Sequence, residues 1–125
     1  MNVLVIDDSE TTRKVLRRIL HDAGFDEVCQ AGDGADGLVA LDAMNDPELV
    51  LVNWSMPRMN GLEFIGAMRS ASRYAGVRVM MVTTENEPAA IQAALVTGAD
   101  EFLMKPFQTQ DVLDKLTILG VMEAA

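Results

Sequence analysis

The stretch Val3-Leu4-Val5-Ile6-Asp7-Asp8-Ser9 decides the fold. Its four apolar residues run without a break, which suits a short parallel strand covered on both faces rather than a half-exposed one. Two aspartates close the run, and Ser9 can cap the helix that follows. Val15, Leu16, Ile19, Leu20 and Ala23 then recur at helical spacing. Arg13, Lys14, Arg17 and Arg18 lie opposite them, and Gly24 ends the element.

The same strand-then-helix unit repeats along the chain. Residues 26–31 read as a second strand and 34–44 as a second helix. Leu49-Val50-Leu51-Val52 is a third buried strand; a loop holding Pro57 and a helix over 61–71 follow it. Residues 77–82 form a fourth strand, and 86–97 a helix with Pro88 in its first turn and Gly98 just past its end. A short strand over 101–104 and a closing helix over 108–119, with Val112, Leu113, Leu116 and Leu119 inward, complete the pattern. Five such units predict an α/β fold, a doubly wound (βα)5 parallel sheet with right-handed crossovers and the flavodoxin-like strand order 2-1-3-4-5.

Bulk properties narrow the function. The 125 residues suit one domain over 1–125, and half of them are hydrophobic, enough for a core without staples. There is no apolar run of about 18 residues and no charged-then-apolar leader, so neither a membrane span nor a signal peptide is expected. The one cysteine, Cys29, follows Val28 in an apolar stretch and reads as a small buried hydrophobe, which fits a reducing cytoplasm. A net charge of −9 argues against binding a nucleic-acid backbone. Four of the ten basic residues crowd onto the first helix, as a solvated face or as a docking face for an acidic partner.

Open α/β sheets bind ligands beyond the carboxyl ends of their strands, at the switch point between the first and third. The polar residues there are Asp7-Asp8, Asn53, Thr83-Thr84 and Lys105. Two adjacent carboxylates repel each other by about 4 kcal/mol at about 4 Å and an effective dielectric near ~20. A hard divalent cation relieves that repulsion, and Mg²⁺ uses one or two carboxylates alongside phosphate oxygens and water. Thr83 can hydrogen-bond a phosphoryl oxygen, and Lys105 offers a point charge to another.

These residues, with the loop Trp54-Ser55-Met56-Pro57, Met59-Asn60-Gly61 behind it and Lys105-Pro106-Phe107, resemble response-regulator receiver domains. The likeness spans nearly the whole chain and is strongest to the single-domain chemotaxis, or CheY-like, type. It implies that Asp7, Asp8, residue 53 and the Ser55 backbone carbonyl hold Mg²⁺. Thr83 matches the switch hydroxyl, and Phe102 the aromatic ring that turns inward on activation. Lys105 matches the counter-charge, and its bond to Pro106 is similar to one that is cis in the family. The implied partners are a histidine kinase or histidine phosphotransfer protein, and a downstream effector on the face of the fourth helix, fifth strand and fifth helix. Neither nucleic acid nor membrane is among them. Ser55 and Glu85 match places where family members vary and phosphoryl lifetime is tuned, and Thr84 fills a spot that is usually small, where its extra methyl narrows access to the pocket.

The departure is Asn53, where phosphorylated members of that family carry aspartate. An amide cannot act as the carboxylate nucleophile of an acyl phosphate. Its loss of charge should also lower Mg²⁺ affinity. Two explanations compete: a deliberate Asp→Asn replacement that freezes the unphosphorylated state, and a natural pseudo-receiver acting as a protein-interaction module without phosphorylation. The first is preferred, because everything else that would service a phosphoryl group is intact. The run Gly32-Asp33-Gly34-Ala35-Asp36-Gly37 spells G-x-G-x-x-G but follows the second strand, and its two aspartates would repel a pyrophosphate. It reads as a glycine-rich turn.

Overall fold

The computed structural model describes residues 2–122. In order come β1 (Asn2–Ile6), α1 (Glu10–Asp22), β2 (Glu27–Ala31), α2 (Gly34–Ala43), β3 (Pro47–Val52) and α3 (Gly61–Arg69). A short 3-10 turn (Ser72–Tyr74) precedes β4 (Arg78–Thr83), α4 (Pro88–Thr97), β5 (Glu101–Met104) and α5 (Thr109–Ile118). Local chemistry sets the boundaries. The Ser9 side chain accepts from the Thr12 amide at the start of α1, and Asn60 and Glu63 form a reciprocal capping box on α3. Gly24 and Gly98 adopt φ of 105° and 135° just beyond α1 and α4, a region open to glycine at no steric cost.

The five strands are parallel and ordered β2-β1-β3-β4-β5. Alternate residues of each central strand enter different cores, as the two-residue period requires. Val3, Val5, Leu49 and Leu51 pack with Leu16 and Leu20 of α1 and Leu116 of α5. Leu4, Ile6, Val50 and Val52 pack with Leu41 of α2 and Phe64 and Met68 of α3. Arg69 donates to the Gly98 carbonyl (3.1 Å) and the Asp100 carboxylate (3.0 Å), tying α3 to the turn before β5.

Several expectations need correction. Val15 is 45% exposed, because Leu16, Ile19 and Leu20 already fill the contact with the sheet. Cys29 is only half-buried, since β2 is an edge strand; its thiol donates to a Glu27 carboxylate oxygen at 3.2 Å. Burial first, and Glu27 second, push that thiol's pKa up. The third helix ends at Arg69 rather than at 71.

Candidate functional site

Register brings the strand ends to one level. Ile6 pairs with Val52, and the ladder continues where the Asn53 amide donates to the Ile6 carbonyl at 2.9 Å. Thr83 pairs with Met104, and the Lys105 amide donates to the Thr83 carbonyl at 2.9 Å. Residues 7, 53, 83 and 105 therefore end neighbouring strands side by side.

Asp7 is buried and fully engaged. One carboxylate oxygen accepts from the Ser9 amide (2.9 Å), the other from Lys105 Nζ (2.8 Å). The side chains of that ion pair are 2% and 19% exposed, so the charges face each other with little water between them. The Asp7 carbonyl accepts from Arg13 Nη1 at 2.7 Å, which takes Arg13 out of the basic face expected on the first helix. Lys14, Arg17 and Arg18 remain exposed there, Lys14 paired with Glu10 at 3.1 Å. His21 is exposed beside Asp22.

Asn53 is buried, and its amide has a specific orientation. It does not turn its carbonyl oxygen toward Asp8 and Ser55, as a metal ligand at this position would. Instead Nδ2 donates to the Ser55 carbonyl at 2.9 Å and lies 3.5 Å from an Asp8 carboxylate oxygen. A nitrogen carrying two hydrogens thus bridges two of the four expected metal ligands. Those two oxygens converge on one point, and hard oxygen donors of this kind suit Mg²⁺. Among the described residues no group of three His, Cys, Asp or Glu is placed to hold a metal. With an amide at 53, the pocket keeps only the carboxylates of Asp7 and Asp8.

Thr83 is buried, with its hydroxyl oxygen accepting from the Glu85 amide at 3.3 Å. Thr84 and the Ser55 residue are exposed, while Phe102 is half-buried against the core that contains Met81. The Lys105–Pro106 peptide is cis. No sequence signal singled out Arg58. Its guanidinium donates to both carboxylate oxygens of Asp33 (2.8 and 3.1 Å) and to Asp36 (2.8 Å). These contacts hold the Asp33 carboxyl below the usual range, the Arg58 bond chiefly and the Asp36 amide next. The charge complementarity of Asp33, Asp36 and Arg58 was visible, but not that residues 22 to 25 positions apart would meet.

The model of the response regulator receiver domain matches residues 3–117. The chain belongs to that family. It is 35% identical over 119 residues to the chemotaxis protein CheY1 of Helicobacter pylori, covering 95% of this chain and 96% of that one. To the CheY homolog of Campylobacter jejuni it is 36% identical over 121 residues, covering 96% and 93%. Among solved structures, CheY4 of Vibrio cholerae superposes with a TM-score of 0.88 at 34% identity, covering 94% and 97%. A CheY of Borrelia burgdorferi, solved as a complex with CheX, BeF3 and Mg²⁺, gives 0.89 at 26% identity, covering 96% and 89%. This is a CheY-like receiver of two-component signalling, a signalling protein rather than a classical enzyme. Receiver domains bind Mg²⁺ at the acidic pocket, and CheY-like receivers interact with kinases and effectors. Among the described residues no helix is long and apolar enough to cross a membrane.

Proposed function

We propose that the chain is a phosphorelay receiver held in its unphosphorylated state by the amide at position 53. The observation that carries this reading is the Asn53 side chain itself, buried among Asp8, the Ser55 carbonyl and the strand ends that bear Thr83 and Lys105. An aspartate there would present a carboxylate oxygen to a phosphohistidine of a histidine kinase or phosphotransfer protein. The phosphorus–nitrogen bond breaks, an acyl phosphate forms, and the histidine nitrogen leaves with its electron pair. The amide has no such nucleophile.

Asp7, Asp8, Ser55 and residue 53 are the groups that would hold Mg²⁺, which when bound neutralises phosphoryl oxygen charge. Lys105, kept in place by Asp7, supplies a fixed positive charge on the same side. Thr83 offers a hydroxyl whose engagement would pull the β4–α4 loop inward, with Phe102 following. Output then goes through the face of α4, β5 and α5, where Leu95, Val96 and Met104 are exposed. The setting is cytoplasmic.

One observation favours the second reading, a pseudo-receiver that signals by contact alone. The Asn53 amide donates to the Ser55 carbonyl and faces the Asp8 carboxylate, so a protein group already sits between two of the expected cation ligands. A single experiment separates the two. The Asn53→Asp chain is incubated with Mg²⁺ and a small-molecule phosphodonor such as acetyl phosphate. An acid-stable, base-labile adduct on residue 53 supports the receiver; its absence leaves the contact-only module.

A further inference from the structure

The loop between β3 and α3, residues 53–60, carries the Ser55 carbonyl and has a mixed surface: Ser55, Pro57 and Arg58 face solvent, while Trp54, Met56 and Met59 pack against the core. Polar contacts add to that packing and fix the path of the exposed residues. Its ends are clamped, because Gly61 donates to the Trp54 carbonyl at 2.9 Å, and a Cβ there would sit 2.2 Å from the Asn53 carbonyl oxygen. Its middle is tied to the glycine-rich turn that opens α2. The Gly34 amide donates to the Met59 carbonyl at 3.0 Å, and a Cβ on Gly34 would lie 2.7 Å from that oxygen. Arg58 completes the tie with its three bonds to Asp33 and Asp36.

Two features show that this tie shapes the loop. Arg58 has φ of 64°, a left-handed conformation that side-chain-bearing residues avoid unless something holds them in it. Asp33 is buried and caps α2 through the Asp36 amide at 2.8 Å, so the partner of Arg58 is itself fixed. The motif that resembles a dinucleotide turn thereby acquires a role.

We propose that Arg58 is a positioning residue, whose forked guanidinium, anchored on Asp33 and Asp36, aims the Ser55 carbonyl at the point where it meets Asp8. The proposal rests on the reading of Asp8 and Ser55 as cation ligands. It predicts an effect opposite in sign to plain electrostatics. Removing a positive charge near an acidic pocket should tighten cation binding by attraction alone. Removing a positioning group should weaken it, by about tenfold as for other groups that orient metal ligands.

The test is a Mg²⁺ titration of the full chain carrying Asn53→Asp, followed by calorimetry and by emission of Trp54, the chain's one tryptophan. Arg58→Asn is the main variant, since asparagine tolerates the left-handed backbone while deleting the fork. Arg58→Lys keeps the charge without the bidentate geometry and should lie between. Arg73→Asn removes an arginine of similar exposure, paired with Asp42 far from the pocket, and should leave Mg²⁺ affinity unchanged. Urea midpoints of all variants separate stability from affinity. Weakened binding in Arg58→Asn, with partial rescue by lysine and none of it in Arg73→Asn, supports the proposal. Unchanged or tighter binding overturns it. Asp8→Asn guards the foundation: if it leaves Mg²⁺ binding intact, the cation-site reading fails; if it alone weakens binding, only the role of Arg58 fails.

Discussion

The two ends of the sheet each hold a carboxylate paired with a cation, in opposite settings. At the carboxyl end Asp7 meets Lys105 across 98 positions, with side chains 2% and 19% exposed. At the amino end Asp42 meets Arg73 with side chains 60% and 65% exposed, and the Tyr74 hydroxyl also donates to Asp42. Water solvates the second pair, so its charges cost little and contribute little. The first pair is kept out of water, where apolar residues of similar size would serve stability as well or better. Among the described residues the buried carboxylates, Asp7 and Asp33, both lie at the carboxyl end, beside the candidate site.

The sharpest way to break this comparison is Lys105→Met. It leaves Asp7 buried without its counter-charge and should cost about 3 kcal/mol in urea unfolding; a loss no larger than that of Arg73→Met would erase the distinction. Next comes Asn53→Asp without Mg²⁺. A third carboxylate beside Asp7 and Asp8 should destabilise the fold by about 2 kcal/mol, the full repulsion being offset in part by Lys105. Added Mg²⁺ should restore the melt of that variant and leave the Asn53 chain nearly unmoved. Equal responses of the two would remove the case for a cation site.

Gly34→Ala is a smaller probe of the same end. Alanine gains about 1 kcal/mol in helix propensity, but the added methyl meets the Met59 backbone, and overpacking costs about 1–3 kcal/mol. A net loss of about 1 kcal/mol is expected, and a gain in stability would show that the loop yields freely.

The smallest effects belong to the amino end. The Tyr74 hydroxyl first, and Arg73 after it, hold the Asp42 carboxyl below the ordinary value of 3.8. Its contribution is therefore present above pH 3.8 and fades as pH falls through the lower folded value. Burial, then Asp42, raise Tyr74 above 10.0, so its contribution is present below pH 10.0 and is lost as pH rises through the folded value. Tyr74→Phe should flatten the alkaline limb of a stability–pH profile without touching Mg²⁺ binding. A change in Mg²⁺ affinity would mean that the two ends are coupled.

Order and type of the elements were legible because their signals are local. Val3 to Ile6 and Leu49 to Val52 are continuous apolar runs, and Ser9, Gly24, Pro88 and Gly98 punctuate helices by their own backbone preferences. The convergence of Asp7, Asn53, Thr83 and Lys105 also followed, since a parallel sheet aligns its strand ends whatever the loops do. Val15 and Cys29 were misjudged because helical and strand patterns say which residues can face inward, not how much neighbour is there to cover them.

From the amino acids alone came the doubly wound sheet, the polar ring at its carboxyl end and the loss of a nucleophile at position 53. Tertiary structure alone decided that the Asn53 amide turns its nitrogen to Asp8 and Ser55, that Lys105 reaches Asp7, and that Arg58 spans Asp33 and Asp36. Hydrogen-bond partners separated by tens of residues depend on strand register and loop path. Both are set by how the whole chain packs, and neither is written in any local pattern.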